Sequence, residues 1–262
     1  MVVWVRGVPR GGILLPSFVA VALLIVGGAR AEDPPSETAW KKESAQWFET
    51  IRPGATVRIV NPTGGIYARF GGYENRVELI STTQRRESDP GPVVSSSPTE
   101  SGLDVVVRPG PAPEAGSAPG RVDLVVFVPL GARLDAQTDH DQIQVKGVRG
   151  DVNASSGTGD IWIRSVAGSV DAKSARGDIS VVLETGVTHE TQDLTTETGD
   201  IEVYLWEDAD MAVRLATSGE ISTDFSLQIE HRRNEEPGKR AVAVVGDGGP
   251  ELVVSSKRGQ VS

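Results

Sequence analysis

The chain has 262 residues with 36 acidic against 26 basic side chains, 30 glycines and no cysteine. Without cysteine there is no disulfide framework, thiolate metal site, sulfur nucleophile or lipid-modified cysteine. A net charge of −10 opposes binding to nucleic acid and to anionic lipid surfaces.

Arg6 and Arg10 precede an apolar run from Ile13 to Val26, and Ala29-Arg30-Ala31 forms a small-x-small site ahead of Glu32-Asp33-Pro34-Pro35. That is the layout of a secretory signal peptide over residues 1–31. The run is shorter than the roughly 20 residues of a membrane-spanning helix. Residues 1–31 hold three arginines and no acid, so cleavage would take the net charge from −10 to −13. No later stretch is apolar enough to span a bilayer. The expectation is an exported protein, periplasmic or at the cell surface, with no stable membrane span after cleavage.

Residues 32–52 read as a short N-terminal cap segment. Ser36 could cap a helix that carries Trp40, Trp47 and Phe48 on a partial apolar stripe. Equally, Trp47, Glu49 and Ile51 alternate as a strand does. In either form the aromatic residues would plug an exposed sheet end.

Residues 53–262 read as one elongated domain. Residues 55–60, 66–70 and 76–80 are strands parted by turns, and 103–107 and 124–128 are further strands. Residues 84–101 and 108–121, rich in Pro, Ser and Gly, read as excursions, and 232–240 as a charged loop.

Internal repeats dominate the chain from about residue 143 onward. Gly150-Asp151-Val152, Gly159-Asp160-Ile161, Gly168-Ser169-Val170 and Gly177-Asp178-Ile179 start nine residues apart, and Ile143 extends the phase upstream. Gly199-Asp200-Ile201 and Gly219-Glu220-Ile221 come next, and Gly259-Gln260-Val261 echoes the pattern 40 residues on, which reads as two further periods. Within each unit apolar residues alternate, as in Ile161 and Ile163. A strand of about five residues plus a corner fits nine residues, and stacked turns would bury columns of like residues roughly 4.8 Å apart. A single rung cannot bury its own aliphatic side chains, so such a coil is stable only as an array. Each glycine is expected in a left-handed corner conformation, and each following aspartate is expected to bond its own backbone two residues on. The fold class is all-β, a single-domain parallel β-solenoid.

The segments Gly54-Ala-Thr-Val-Arg-Ile-Val-Asn-Pro-Thr-Gly-Gly-Ile66 and Val77-Glu-Leu-Ile-Ser-Thr82 carry a family resemblance. So do the repeated Ser-Gly-Thr-Gly-Asp-Ile, Ser-Ala-Arg-Gly-Asp-Ile, Thr-Glu-Thr-Gly-Asp-Ile and Ala-Thr-Ser-Gly-Glu-Ile. From about residue 47 to the end, outside the Pro-rich excursions, the chain resembles the bacterial putative-adhesin domain, a family of exported β-solenoid proteins. The resemblance implies an envelope or surface role and supplies no catalytic residue.

Asp160, Asp178, Asp200 and Glu220 would stack into one acidic corner column, where like charges repel by roughly 1 kcal/mol per pair in water. Calcium-binding β-roll repeats use Gly-Gly-x-Gly-x-Asp, whereas each corner here offers one hard oxygen against the six to eight that calcium takes. The acids therefore read as turn residues, with no metal and no cofactor. Arg149-Gly150-Asp151 and Arg176-Gly177-Asp178 spell a tripeptide read by integrins, but the repeat itself generates Gly-Asp at each corner. His140, His189 and His231 share no metal-ligand spacing. Asn153-Ala154-Ser155 fits a glycosylation sequon that an exported bacterial chain would carry by chance. Trp162 follows an inward Ile161 and should face outward, which makes Trp162 with Arg164 a candidate contact patch.

These features point to a non-enzymatic exported structural or adhesion module of the cell envelope, its partner an envelope protein or glycan. Self-association through an unpaired last rung near Val261 is also expected. The alternative is a carbohydrate-active β-helix enzyme that uses stacked surface carboxylates, since glycosidase acid pairs sit roughly 5 to 9.5 Å apart.

Overall fold

The computed structural model describes residues 40–87, 89–111, 119–183, 191–206, 209–224 and 226–262. The expected signal peptide and the first part of the cap segment lie outside the described residues, as does His189. All named elements are strands. The N-terminal part comprises β1 (Trp40–Thr50), β2 (Thr56–Asn61), β3 (Ile66–Phe70), β4 (Arg76–Arg86), β5 (Val93–Pro98), β6 (Gly102–Arg108) and β7 (Arg121–Val128). The repeats form β8 (Arg133–Thr138), β9 (Ile143–Lys146), β10 (Val152–Ser156), β11 (Ile161–Val166), β12 (Val170–Arg176), β13 (Ile179–Leu183), β14 (Gln192–Thr198) and β15 (Ile201–Tyr204). The C-terminal part adds β16 (Met211–Thr217), β17 (Gln228–His231), β18 (Lys239–Val245) and β19 (Glu251–Ser256).

The nine-residue unit is half a rung. Successive units alternate between two sheets, so β8–β9, β10–β11, β12–β13 and β14–β15 are each one turn of two strands. In the first sheet Ile143, Ile161, Ile179 and Ile201 stand in direct parallel register. In the second, Leu134, Val152 and Val170 do the same. Alternate residues point inward, so a two-residue period lays these columns face to face, and their members are fully buried. Each enclosed isoleucine contributes about 2–3 kcal/mol relative to exposure, and its neighbours along the axis together with the facing column supply that enclosure.

Stacking order departs from chain order at both ends. The first rung, β2–β3, lies between β6–β7 and β8–β9. At the far end β19 runs parallel between β14 and β16, and Val261 bridges Ile201 on one side and Ile221 on the other. The expected unpaired last rung near Val261 is therefore corrected. Its backbone is satisfied on both edges, with the Ile201 N–H donating to the Gln260 carbonyl and the Val261 N–H to that of Glu220. The 40 residues from Ile221 to Val261 likewise make a single step in the stack. The chain leaves as β17 and β18, which add antiparallel strands to β16, then returns into the slot beside β14.

The solenoid is parallel in its middle and antiparallel at its ends, because an end strand that pairs with a sequence neighbour needs only a short turn. In the first sheet β4 lies antiparallel between β7 and β1. In the second, β5, which forms inside the first expected excursion, pairs antiparallel with β6. Of the two readings left open for the cap segment, residues 40–50 take the strand. Trp47 packs against the core and its indole N–H donates to the Ser96 hydroxyl at 3.2 Å, which joins β1 of one sheet to β5 of the other.

The corners within and between rungs explain the glycines differently from the expectation. Gly150, Gly159, Gly168, Gly177, Gly219 and Gly259 do not lie in the left-handed region. They are glycines because each rests on the backbone of the rung before it. A Cβ on Gly159 would overlap the Asp141 carbonyl oxygen, one on Gly177 that of Gly159, one on Gly199 that of Gly177, and one on Gly259 that of Gly199. At Gly159, Gly177, Gly199 and Gly259 a buried Ser or Thr three residues ahead completes the joint. The hydroxyl of Ser174 donates to the Gly159 carbonyl at 3.3 Å, that of Thr196 to Gly177 at 3.2 Å and that of Ser256 to Gly199 at 2.8 Å. At Ser156 and Ser256 the same oxygen also accepts the N–H of its own corner glycine.

This stacking has two testable outcomes. Gly177→Ala should lower the unfolding free energy by about 3 kcal/mol, since backbone must shift to admit the methyl group, and urea denaturation will read it. Removal of residues 251–262 should unfold the C-terminal half of the solenoid, because it strips a rung from inside the stack. Circular dichroism on the truncated chain checks this, and retention of full β signal would refute it.

Candidate functional site

The acidic corner column is a hydrogen-bonded ladder. The Asp178 N–H donates to the Asp160 carboxylate at 2.9 Å, the Asp200 N–H to Asp178 at 2.8 Å and the Gln260 N–H to Asp200 at 2.6 Å. The expectation that each aspartate bonds its own backbone is corrected, because the free N–H within reach of the carboxylate belongs to the next rung. Glu220 does not stack on Asp200. Insertion of the last rung puts the neutral Gln260 between them, which breaks the run of negative charge. The same device recurs elsewhere. The Gly65 N–H donates to Asp123 at 3.0 Å, the Ser169 N–H to Asp151 at 3.1 Å and the Asp193 N–H to Asp171 at 3.1 Å. Among the described residues no group of three or more His, Asp or Glu could hold a metal ion.

Both Arg-Gly-Asp sequences are built into these corners. Asp151 accepts from Ser169 and pairs with Arg133 at 3.1 Å, and Asp178 accepts from Asp200. His140 is exposed beside the Thr158 hydroxyl, and His231 is exposed at the end of β17.

The two sheets present different outer faces. On the second, Arg58 lies between Asp104 and Asp135 at 3.9 and 3.6 Å, Lys173 pairs with Asp193 at 4.0 Å, and Arg214 pairs with Glu251. Burial pushes the Asp135 carboxyl above its ordinary range, with Arg58 opposing the shift and Asp104 adding to it. Around it Thr56, Arg133, Asp151, Asn153 and Asp171 line a shallow open groove, and Asn153 of the sequon points outward there.

On the first sheet Trp162 faces outward and is half-buried between Gln144 of β9 and Ser180 of β13, with Arg164 exposed two residues on. Trp162 and Arg164 thus share one outer face. The structure adds residues that single-strand reading could not supply. Tyr67 occupies the Trp162 column two rungs away, and Arg69 and Lys146 stand in the Arg164 column on the two preceding rungs. Tyr67 and Arg69 come from a distant segment that the inserted first rung brings alongside β9. Tyr204 lies further along the same column, and its hydrogen bond to Glu202 raises its phenol above the ordinary value. Trp206, just beyond β15, is exposed.

The sequence matches the Toastrack DUF4097 family over residues 131–262. That stretch lies inside the region whose motifs resemble the putative-adhesin domain. No curated protein matches the chain. Among solved structures, a putative cell adhesion protein from Clostridium sporogenes ATCC 15579 is similar at 10% identity with a TM-score of 0.43, covering 84% of this chain and 98% of that one. A putative adhesin from Bacteroides fragilis NCTC 9343 is similar at 10% identity with a TM-score of 0.33, covering 84% of this chain and 96% of that one.

The ladder separates the two ways of removing a corner acid. Asp178→Ala leaves the Asp200 N–H without its acceptor and should cost about 1 kcal/mol, whereas Asp178→Asn keeps an oxygen in place and should be close to neutral. Equal losses in thermal melts of the two variants would refute the ladder as the acid's role.

Proposed function

We propose that this chain, which belongs to the Toastrack DUF4097 family, is an exported structural or adhesion module of the bacterial cell envelope that works through its outer sheet faces. The observation that carries this reading is the use made of the corner carboxylates. Asp160, Asp178 and Asp200 each accept a backbone N–H from the next rung through one carboxylate oxygen, which gives each acid a part in holding the solenoid together. An enzyme of the glycosidase type needs a carboxyl group free to give and take a proton at the substrate. A carboxylate committed to the next rung is a poor candidate for that work, which speaks against the carbohydrate-active alternative.

The arrangement of residues 1–31 supports export, and the periplasm or the cell surface would be the destination. Among the described residues no helix is long and apolar enough to cross a membrane. The partner would be an envelope protein or glycan that contacts a flat, stiff sheet face rather than an enclosed pocket. Trp162 and Arg164 provide the contact patch on the first sheet.

Fractionation of the native cell tests the reading. The chain should be found in the periplasmic or surface fraction with the mass of residues 32–262, crosslinked to envelope components. A full-length cytoplasmic form would overturn the proposal.

A further inference from the structure

We infer that the outer face of the first sheet is a binding strip for a carboxylate-bearing glycan, with Tyr67 and Trp162 as stacking platforms and Arg69, Lys146 and Arg164 as the anion-reading column. The inference deepens the reading of the chain as a binding module and rests on it.

The middle rungs of the two outer faces treat their cations differently, although at the edge of the first sheet Arg121 pairs with Asp123 and Asp141 at 2.6 and 3.2 Å. In the middle of the second sheet, three outward cations are paired with carboxylates on neighbouring rungs, Arg58 with Asp104 and Asp135, Arg133 with Asp151 and Lys173 with Asp193. On the first sheet, Arg69, Lys146 and Arg164 occupy one column on three consecutive rungs, and among the described residues none of the three forms an ion pair. Arg69 is held by the side-chain oxygen of Gln144 at 3.2 Å. Lys146 and Arg164 project into solvent. Neighbouring strands lie roughly 4.8 Å apart, where like charges directly opposite one another destabilise a sheet. A chain with 36 acids and 26 bases has acids to spare for interleaving, and does interleave them on the other face. The unrelieved column is what an anionic ligand would neutralise.

The neighbouring column names the rest of the ligand. Tyr67 and Trp162 flank Gln144 two rungs apart, roughly 9.6 Å at the strand spacing. That is about the reach of two linked pyranose rings, whose flat faces stack on aromatic side chains. Between and beside them stand groups suited to sugar hydroxyls. These are the Gln144 amide, the Ser180 hydroxyl and the Tyr67 phenol, which accepts from Gln142 at 2.6 Å. A sugar chain laid along the axis would place a ring-borne carboxylate over Lys146 and Arg164. The corner acids Asp160 and Asp178 run parallel to this strip, roughly 7 Å from the aromatic column and roughly 13 Å from the cation column. A polymer with the charge density of nucleic acid, about one phosphate per 1.7 Å of duplex, would be repelled by that row. A glycan with one carboxylate per ring or fewer would not.

Calorimetric titration of the full chain with oligogalacturonate, and with its methyl-esterified neutral form, tests the inference. The carboxylated form should bind, and esterification should weaken binding at least tenfold. Lys146→Glu and Arg164→Glu should each lose at least tenfold and Trp162→Ala about tenfold, while Lys173→Glu on the other face should bind as wild type. All four variants should keep the wild-type melting temperature within a few degrees. Absence of oligogalacturonate binding, equal affinity for the ester, or retained affinity in Lys146→Glu and Arg164→Glu would overturn the inference. Tighter binding of single-stranded DNA than of the glycan would do the same. If the chain still fractionates with the envelope in any of those cases, the strip assignment alone falls. A cytoplasmic location would instead remove the reading on which it rests.

Discussion

The fold depends on how closely one corner can approach the next. Where Gly177 rests on Gly159 and Gly199 on Gly177, the space for a Cβ is already taken by the carbonyl of the rung before. That contact sets the axial spacing at the bend, and the other joints form at the distance it allows. The hydroxyls of Ser174 and Thr196 reach the carbonyls of Gly159 and Gly177. The carboxylates of Asp160 and Asp178 reach the N–H groups one rung on. The corners at Gly177 and Gly199 thus carry, in order, an inward hydroxyl, a glycine, an acid and an aliphatic residue, and each of the four touches its counterpart's rung. Removing one weakens two rungs at once.

Parallel stacking leaves a problem at each end, since an open rung exposes both its aliphatic interior and a row of unpaired backbone groups. The chain resolves it by changing direction. Antiparallel β4 and β1 extend one sheet and β5 the other, with Trp47 reaching Ser96 between them. At the opposite end β18 and β17 extend the second sheet. The rungs nearest the two ends of the described chain are then placed inward of these additions, β2–β3 beside β8–β9 and β19 beside β14.

Much of this was legible in the repeats. The nine-residue phase predicted the column of Ile143, Ile161 and Ile179, and they stand in direct register, because a phase held constant leaves no freedom in which residues meet; the repeated Gly-Asp-Ile motif carries the column on to Ile201. The stacking order was not legible. Periodicity reports that a segment forms a rung but not which rung it sits on, so Val261 read as the end of the array although it lies within it. The corner glycines were found for the wrong reason, since a glycine needed for close approach looks the same in sequence as one needed for a left-handed turn. The buried hydroxyl three residues ahead of the glycine was visible in Ser-Gly-Thr-Gly and Ser-Ala-Arg-Gly but reads there as a polar turn residue. On the outer face, Trp162 and Arg164 were found together because they share a strand. Tyr67 and Arg69 were not, because nothing local connects β3 to β9.

The placement of β19 has a mechanical side. A tether pulling on the C-terminus would meet a strand whose two edges are bonded along their length to β14 and β16, both running the same way. Such a strand is loaded in shear, so its backbone bonds on both sides must yield together, whereas a border strand can be peeled off one bond at a time. The segment Glu251–Ser256 would therefore be among the last to give under such tension.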